Sequence, residues 1–240
     1  MAEKIEPRVL DVTVSEIVDF GNETRHFNLR FPPGVEMTFL PGQFVAVLCP
    51  QAGKVIRRAY SIASPPYDKT DLALVIKRVD GGAVTNWFWD LKVGDRFQVH
   101  GPYGKFILPQ TVDFEPVFVA TGTGIAPFRS MILSLLKNGH TGKISLVFGV
   151  RFENAIPYHA EFTELAARHP NLSYIPTLSR PTPSWKGETG YVQTKIAKLF
   201  ADPAGRKIYI CGLGEMIRAV CDAGAQCGYA KDQILFEKYD

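Results

Sequence analysis

Near residue 110 the sequence changes its rhythm, and that change limits what the chain can fold into. Before it, short segments rich in Val, Ile and Phe recur at 9–18, 26–31, 43–49, 72–79 and 95–99, often alternating apolar with polar positions. Turn clusters separate them: Pro32-Pro33-Gly34, Pro41-Gly42, Pro65-Pro66-Tyr67-Asp68 and Asp80-Gly81-Gly82. Regularly spaced short strands of this sort predict a closed antiparallel barrel. One short helix is expected there, over 84–91. Beyond 110, buried-type apolar runs at 116–120, 143–149, 172–177 and 207–211 alternate with helical stretches at 127–137, 158–168, 194–200 and 215–227. Strands that alternate with helices predict a parallel sheet covered on both faces. Two domains are therefore expected, 1–111 and 112–240, with the border where Pro, Thr and Asp break the pattern.

Composition narrows the function. Hydrophobic residues make up 46% and charged residues 21%, which is ample apolar surface for two cores and argues against disorder. The net charge of +3 is spread evenly, so neither half reads as a nucleic-acid-binding domain. No apolar run approaches the roughly 20 residues of a membrane span. The start, Met1-Ala2-Glu3-Lys4-Ile5-Glu6-Pro7, lacks the apolar core of a signal peptide, so a cytoplasmic protein is expected. Cys49, Cys211, Cys221 and Cys227 contain no CxxC pair, and the histidines are scattered; no zinc or iron–sulfur site is expected.

Four short motifs carry chemistry. In Arg58-Ala59-Tyr60-Ser61, strand alternation puts Arg58 and Tyr60 on one face. Arg offers a planar fork to a pyrophosphate, Tyr a flat wall with a polar tip, and Ser a hydroxyl. Gly82-Ala83-Val84-Thr85 is a glycine turn entering a short helix, where N–H groups can face an anion and Thr85 can serve as N-cap or phosphate donor. Thr121-Gly122-Thr123-Gly124-Ile125-Ala126-Pro127 follows an apolar run; its glycines admit close approach of a phosphate, and Pro127 suits a first helical turn. Tyr209-Ile210-Cys211-Gly212 ends another apolar run in a glycine turn, and ligands of open α/β sheets sit beyond such strand ends. A buried structural cysteine is the rival reading of Cys211.

With Pro41-Gly42-Gln43-Phe44, Gly101-Pro102-Tyr103-Gly104 and the terminal Phe236-Glu237-Lys238-Tyr239, these motifs occur in an order that resembles the ferredoxin–NADP reductase family. The resemblance implies a Greek-key barrel holding FAD, followed by an α/β domain for a nicotinamide nucleotide. It implies that Arg58 and the 82–85 turn (Gly82, Ala83, Val84, Thr85) hold the FAD pyrophosphate. Tyr60, next to Ala59, would stack on the ring, and Ser61 would lie by its N5. Thr121, Gly122, Thr123 and Gly124 become the pyridine-nucleotide turn, and Cys211 with Gly212 the wall beside the nicotinamide. Tyr239 would cover the flavin face and Glu237 would lie close by, able with Ser61 to pass a proton; family chains often end at this aromatic, whereas Asp240 follows here. Ser61, Cys211, Glu237 and Tyr239 are thus the expected catalytic residues.

Ser179-Arg180, then Tyr191 and Gln193, resemble the grip of NADP-selective members on the 2′-phosphate and adenine. Thr189 stands where those members often carry a further Lys; Arg151 can compensate, although Arg occurs there in NADH-using relatives too. NADPH is the expected donor, with NADH possible. The implied function is electron transfer from NADPH through FAD to a separate small carrier, ferredoxin or flavodoxin. The alternatives are the reductase component of an oxygenase, a reductase of free flavins, or a non-catalytic electron-transfer subunit.

Overall fold

A computed structural model describes residues 5–51 and 53–239, with the backbone alone at 155. Residues 1–4 of the polar N-terminal stretch, and Asp240, lie outside the described residues. The chain forms two compact units, Met1–Ile107 with Ala126–Ser134, and Leu108–Ile125 with Leu135–Asp240.

The first unit holds β1 (Arg8–Asp19), β2 (Thr24–Arg30), β3 (Phe44–Gln51), β4 (Lys54–Ser61), β5 (Asp71–Lys77), the helix α1 (Ala83–Asp90) and β6 (Arg96–Tyr103). All strand pairs are antiparallel, in the order β4-β3-β6-β1-β2-β5, a Greek-key sequence of neighbours. Residues 62–64 close the curled sheet. The Ile62 N–H donates to the Gln43 carbonyl at 3.0 Å and the Ala63 N–H to the Ala73 carbonyl at 2.8 Å. Ser64 Oγ accepts from the Ala73 N–H at 3.0 Å. Alternating residues fill the interior, among them Val12, Val14, Phe27, Leu29, Val45, Val47, Leu72, Leu74 and Val99. Helix α1 adds Phe88, whose ring lies 5.0 Å from Phe27 and 5.9 Å from Phe97. Burying such a side chain stabilises the unit by about 1.5–3 kcal/mol.

The second unit holds β7 (Glu115–Thr121), β8 (Ile144–Val150), β9 (Leu172–Leu178), β10 (Glu188–Thr189), β11 (Arg206–Leu213) and β12 (Ile234–Tyr239). They form one parallel sheet in the order β10-β9-β8-β7-β11-β12. Helix α2 (Ile125–Lys137) follows β7 but gives its Ala126–Ser134 stretch to the first unit; among the strands run α3 (His159–Arg168), α4 (Val192–Leu199) and α5 (Gly214–Gln226). Val192 and Ile196 of α4 and Ile217 and Val220 of α5 pack on Val117, Val119, Val147, Ile208 and Ile210. On the other face α3 sets Phe162 5.5 Å from Tyr174. Cover on both faces explains why these strands read as unbroken apolar runs. The strand order reverses at β7: β8 and β9 lie to one side, β11 and β12 to the other.

Several boundaries differ from those expected. Strand β6 continues through Gly101-Pro102 to Tyr103, past the expected end at 99, because Gly101 pairs with Arg8 of β1 and Tyr103 with Phe44 of β3, across an irregularity that holds Pro102. Helix α2 starts at Ile125 and α4 at Val192, two residues before the expected starts. Strand β10 was not expected at all: two polar residues carry no period, and backbone pairing alone defines them. No helix among the described residues is long and apolar enough to cross a membrane. No cluster among them suits a metal ion, and all four cysteines are free thiols.

Candidate functional site

In the barrel unit, β4 is the outer strand, with Arg58 opposite Val47, Tyr60 opposite Val45 and Ser61 opposite Phe44. Arg58 and its neighbour Ala59 are exposed. The only bond of the Arg58 guanidinium among the described residues is to the adjacent Arg57 carbonyl, at 2.9 Å, so its charge is uncommitted. Tyr60 is half-buried, with its ring edge-on to Phe88 at 5.4 Å. Burial pushes its phenol up to about 12, so it stays neutral. Ser61, the last residue of β4, is 5% exposed.

At the start of α1 the N-cap is Gly82, not Thr85. Thr85 sits within the first turn, where its hydroxyl donates to the Gly82 carbonyl at 3.1 Å and accepts from the Val79 N–H at 3.2 Å. A Cβ on Gly82 would lie 2.5 Å from Thr85 Oγ1, so only glycine lets the turn fold this tightly. The Asn86 N–H is bound to the Gly82 carbonyl at 2.9 Å, which leaves the N–H groups of Ala83, Val84 and Thr85 at the open end of the helix. An uncommitted guanidinium and a glycine-lined helix start suit a pyrophosphate.

In the sheet unit, the turns after β7 and β11 meet at the strand-order reversal. Gly122–Gly124 form a single tight turn between β7 and α2, with Thr123 half-buried in it. A Cβ on Gly124 would lie 2.2 Å from the Cys211 carbonyl oxygen, and one on Gly212 would lie 2.5 Å from Thr121 Oγ1. The two turns are therefore pressed backbone to backbone. The Thr121 hydroxyl is buried there with no hydrogen-bond partner among the described residues, which fits a polar ligand group reaching this crevice. Cys211 is fully buried and stands opposite Glu237 in the β11–β12 register, with Leu213 opposite Tyr239. Burial, then the Glu237 charge, push its thiol well above the usual range, against a hydrogen bond with Tyr239. Cys211 is a neutral packing group rather than a thiolate.

The remaining expected nucleotide residues also gather. The Ser179 N–H donates to the Val150 carbonyl at 3.1 Å and the Arg180 N–H to the Arg151 carbonyl at 2.9 Å, extending β8 and β9 side by side. The Gly190 N–H donates to the Leu178 carbonyl at 2.8 Å and the Thr177 hydroxyl to the Gly190 carbonyl at 2.9 Å, which brings Tyr191 alongside. Tyr191 is the N-cap of α4 and is 66% exposed; Gln193 is half-buried in the first turn. Arg151 and Arg180 are exposed, and neither guanidinium pairs with a carboxylate among the described residues.

The sequence reading missed three charged residues here. Lys195 is 5% exposed; its Nζ lies 2.7 Å from Glu188 Oε2 and 2.7 Å from the Thr189 carbonyl. Lys198 Nζ lies 2.8 Å from Glu188 Oε1. No local motif marks these residues; the link appears only once Glu188 is seen on a strand beside α4. The two lysines hold the Glu188 carboxyl down to about 2, from 4.5. A depressed carboxylate adds stability that is fully present above its unfolded value and is lost as pH falls toward the folded one. Thermal melting should therefore show a gap between the parent and Glu188→Gln at pH 7 that narrows from about pH 4.5 downward and closes near pH 2. A gap constant across that range would remove the ionic role.

Arg129 was also unassigned. It lies in the stretch of α2 that belongs to the barrel unit, and its Nη1 donates to the Ala63 carbonyl at 2.9 Å, two residues beyond Ser61. Burial, then the Arg129 charge, push His26 down to about 4, so His26 stays neutral.

Residues 11–107 match the oxidoreductase FAD-binding domain and residues 118–222 the oxidoreductase NAD-binding domain. The chain is 35% identical over 223 residues to ferredoxin--NADP reductase B of Sorangium cellulosum (strain So ce56), covering 90% of this chain and 91% of that one. It is 37% identical over 234 residues to the phenol 2-monooxygenase reductase component DmpP of Pseudomonas sp. (strain CF600), covering 94% of this chain but only 64% of that one. Among solved structures, Amycolatopsis cytochrome P450 reductase GcoB is similar with a TM-score of 0.90 at 28% identity, over 98% of this chain and 71% of that one. The ferredoxin NADP+ reductase of Neisseria gonorrhoeae shares the fold, with a TM-score of 0.84 at 20% identity, over 96% of this chain and 98% of that one. Barrel, sheet and turns together define a flavin- and nicotinamide-dependent oxidoreductase. The chain belongs to the ferredoxin–NADP reductase family.

Proposed function

We propose that this enzyme takes electrons from NADPH and delivers them, by way of FAD, to a separate one-electron carrier protein such as a ferredoxin or flavodoxin. In this reading residues 1–111 serve the flavin and 112–240 the nicotinamide nucleotide, in a cytoplasmic setting that suits four free thiols. Bound FAD supplies the conversion between two-electron hydride and single electrons. The chain's own residues bind and orient. Arg58 and the N–H groups behind Gly82 hold the pyrophosphate, Tyr60 walls the ring, and Ser61 offers a hydroxyl at the end of β4. The 121–124 turn cradles the coenzyme phosphates, and Cys211 and Gly212 shape a close apolar wall for the nicotinamide. Glu237 would pass a proton beside that wall, and Tyr239 would be the aromatic that gives way when a nicotinamide binds.

The choice of NADPH rests on one observation: two guanidinium groups without a carboxylate partner among the described residues, Arg151 and Arg180, at neighbouring strand ends beside Ser179 and Tyr191. Planar forks of this kind recognise phosphate oxygens. Arg180→Ala should raise KM for NADPH roughly tenfold or more, the cost of one charged contact, and leave that for NADH nearly unchanged. Equal effects on both coenzymes would remove the 2′-phosphate role. Anaerobic mixing with each coenzyme, followed by ferredoxin, flavodoxin and free flavin as acceptors, tests the whole reading. Similarity to DmpP, of which this chain spans 64%, supports a second one, the reductase partner of an oxygenase. Fast turnover with free flavin and none with a carrier would sink both.

A further inference from the structure

Tyr191 is exposed, so burial does not hold it in place. The strand that delivers it, β10, has only two residues, Glu188 opposite Thr177 and Thr189 opposite Leu178. Its register is fixed from three sides. From β9 come the Gly190–Leu178 backbone bond and the Thr177 hydroxyl, at 2.8 and 2.9 Å. Within the preceding loop, Trp185 Nε1 donates to the Glu188 carbonyl at 2.9 Å. From α4, the buried Lys195 ammonium spans the Glu188 carboxylate and the Thr189 carbonyl, both at 2.7 Å, while Lys198 takes the other carboxylate oxygen. Thr194 also donates to the Tyr191 carbonyl at 2.7 Å. A buried ammonium needs such partners, because removing one leaves a charge without compensation. The ion pair therefore ties the first turns of α4 to the very residues that precede Tyr191.

We propose that Glu188 and Lys195 are positioning residues for coenzyme selection: they clip β10 to α4 and so set Tyr191 beside Ser179 and Arg180, without touching the coenzyme. The inference rests on the NADPH reading above. Its logic is geometric. A group that must meet the adenosine 2′-phosphate end of a ligand loses its contribution when it shifts by about 1 Å. The nicotinamide end, held by the turns after β7 and β11, does not depend on β10. The clip should therefore act on the difference between NADPH and NADH rather than on turnover.

The experiment uses the FAD-loaded full-length enzyme and two variants, Glu188→Gln and the paired Glu188→Leu/Lys195→Met. The paired variant keeps apolar volume without the charges, so that a folded protein lacking the clip is in hand. KM and kcat are measured with NADPH and with NADH, and amide hydrogen exchange is followed over 188–191. The expected result is a rise of about fivefold to tenfold in KM for NADPH, a change below about twofold in KM for NADH and in kcat, and lost protection at the Gly190 amide, which is bonded to Leu178. Equal KM effects on both coenzymes overturn the inference, as does an unchanged NADPH preference in a folded paired variant. Arg180→Ala separates the two levels. If it narrows the preference and the clip variants do not, positioning alone has failed; if it too leaves the preference intact, the 2′-phosphate reading has failed with it.

Discussion

Arg58→Ala should weaken FAD binding by about 1.5–3 kcal/mol, or on the order of tenfold to a hundredfold in Kd, because a charged hydrogen-bond partner of the pyrophosphate is lost. The guanidinium is exposed and, among the described residues, bonded only to its neighbour's carbonyl, so its removal costs the barrel itself little. Titrating apoprotein with FAD, FMN and riboflavin isolates the effect. FAD should lose most, and riboflavin, which has no phosphate, should bind parent and variant alike. Equal loss for riboflavin would show that Arg58 supports the strand rather than the phosphates.

Gly124→Ala is the second large effect. Its new methyl group would stand 2.2 Å from the Cys211 carbonyl oxygen and 2.6 Å from the carbonyl carbon, and backbone cannot swing aside as a side-chain tip can. The turns after β7 and β11 must part, at a cost of about 3 kcal/mol by the usual scale of overpacking. Coenzyme reduction of the flavin should fall far more than FAD content, since the displaced turns are those of the nicotinamide crevice. Gly122→Ala is the control. It faces open space, and its φ of +55° carries only the left-handed backbone penalty, about 1–2 kcal/mol. A Gly124→Ala enzyme that melts and reduces like the parent would disprove the backbone contact.

The sequence exposed the architecture because period and burial coincide. Phe118 and Val119 face opposite sides of a doubly covered sheet, so β7 reads as a continuous apolar run; the barrel strands, covered on one side, alternate. Glycine turns marked the phosphate-binding places, since the close approaches at Gly82, Gly124 and Gly212 leave no room for a Cβ. Two kinds of feature stayed hidden. Strand β10 is polar and two residues long, and it exists through pairing with β9, which no local window contains. The capping of α1 followed the backbone rather than the side-chain preference: Thr85 is a favoured capping residue type, yet Gly82 takes the extended N-cap position. Glu188 with Lys195, and Arg129 with Ala63, are joined only by tertiary contact.

Helix α2 follows the coenzyme turn in the chain, yet its residues Ala126–Ser134 are compact with the barrel. Phe128 rests 5.9 Å from Phe106, Met131 Cε occupies the space beside Gly42, and Arg129 grips Ala63. Heredity in such an enzyme is interleaved. A chimera spliced once, at the apparent border near 110, would give the barrel a foreign inner wall. Hybrids between relatives should stay functional when this stretch of helix is inherited from the barrel's parent, which requires two crossovers rather than one.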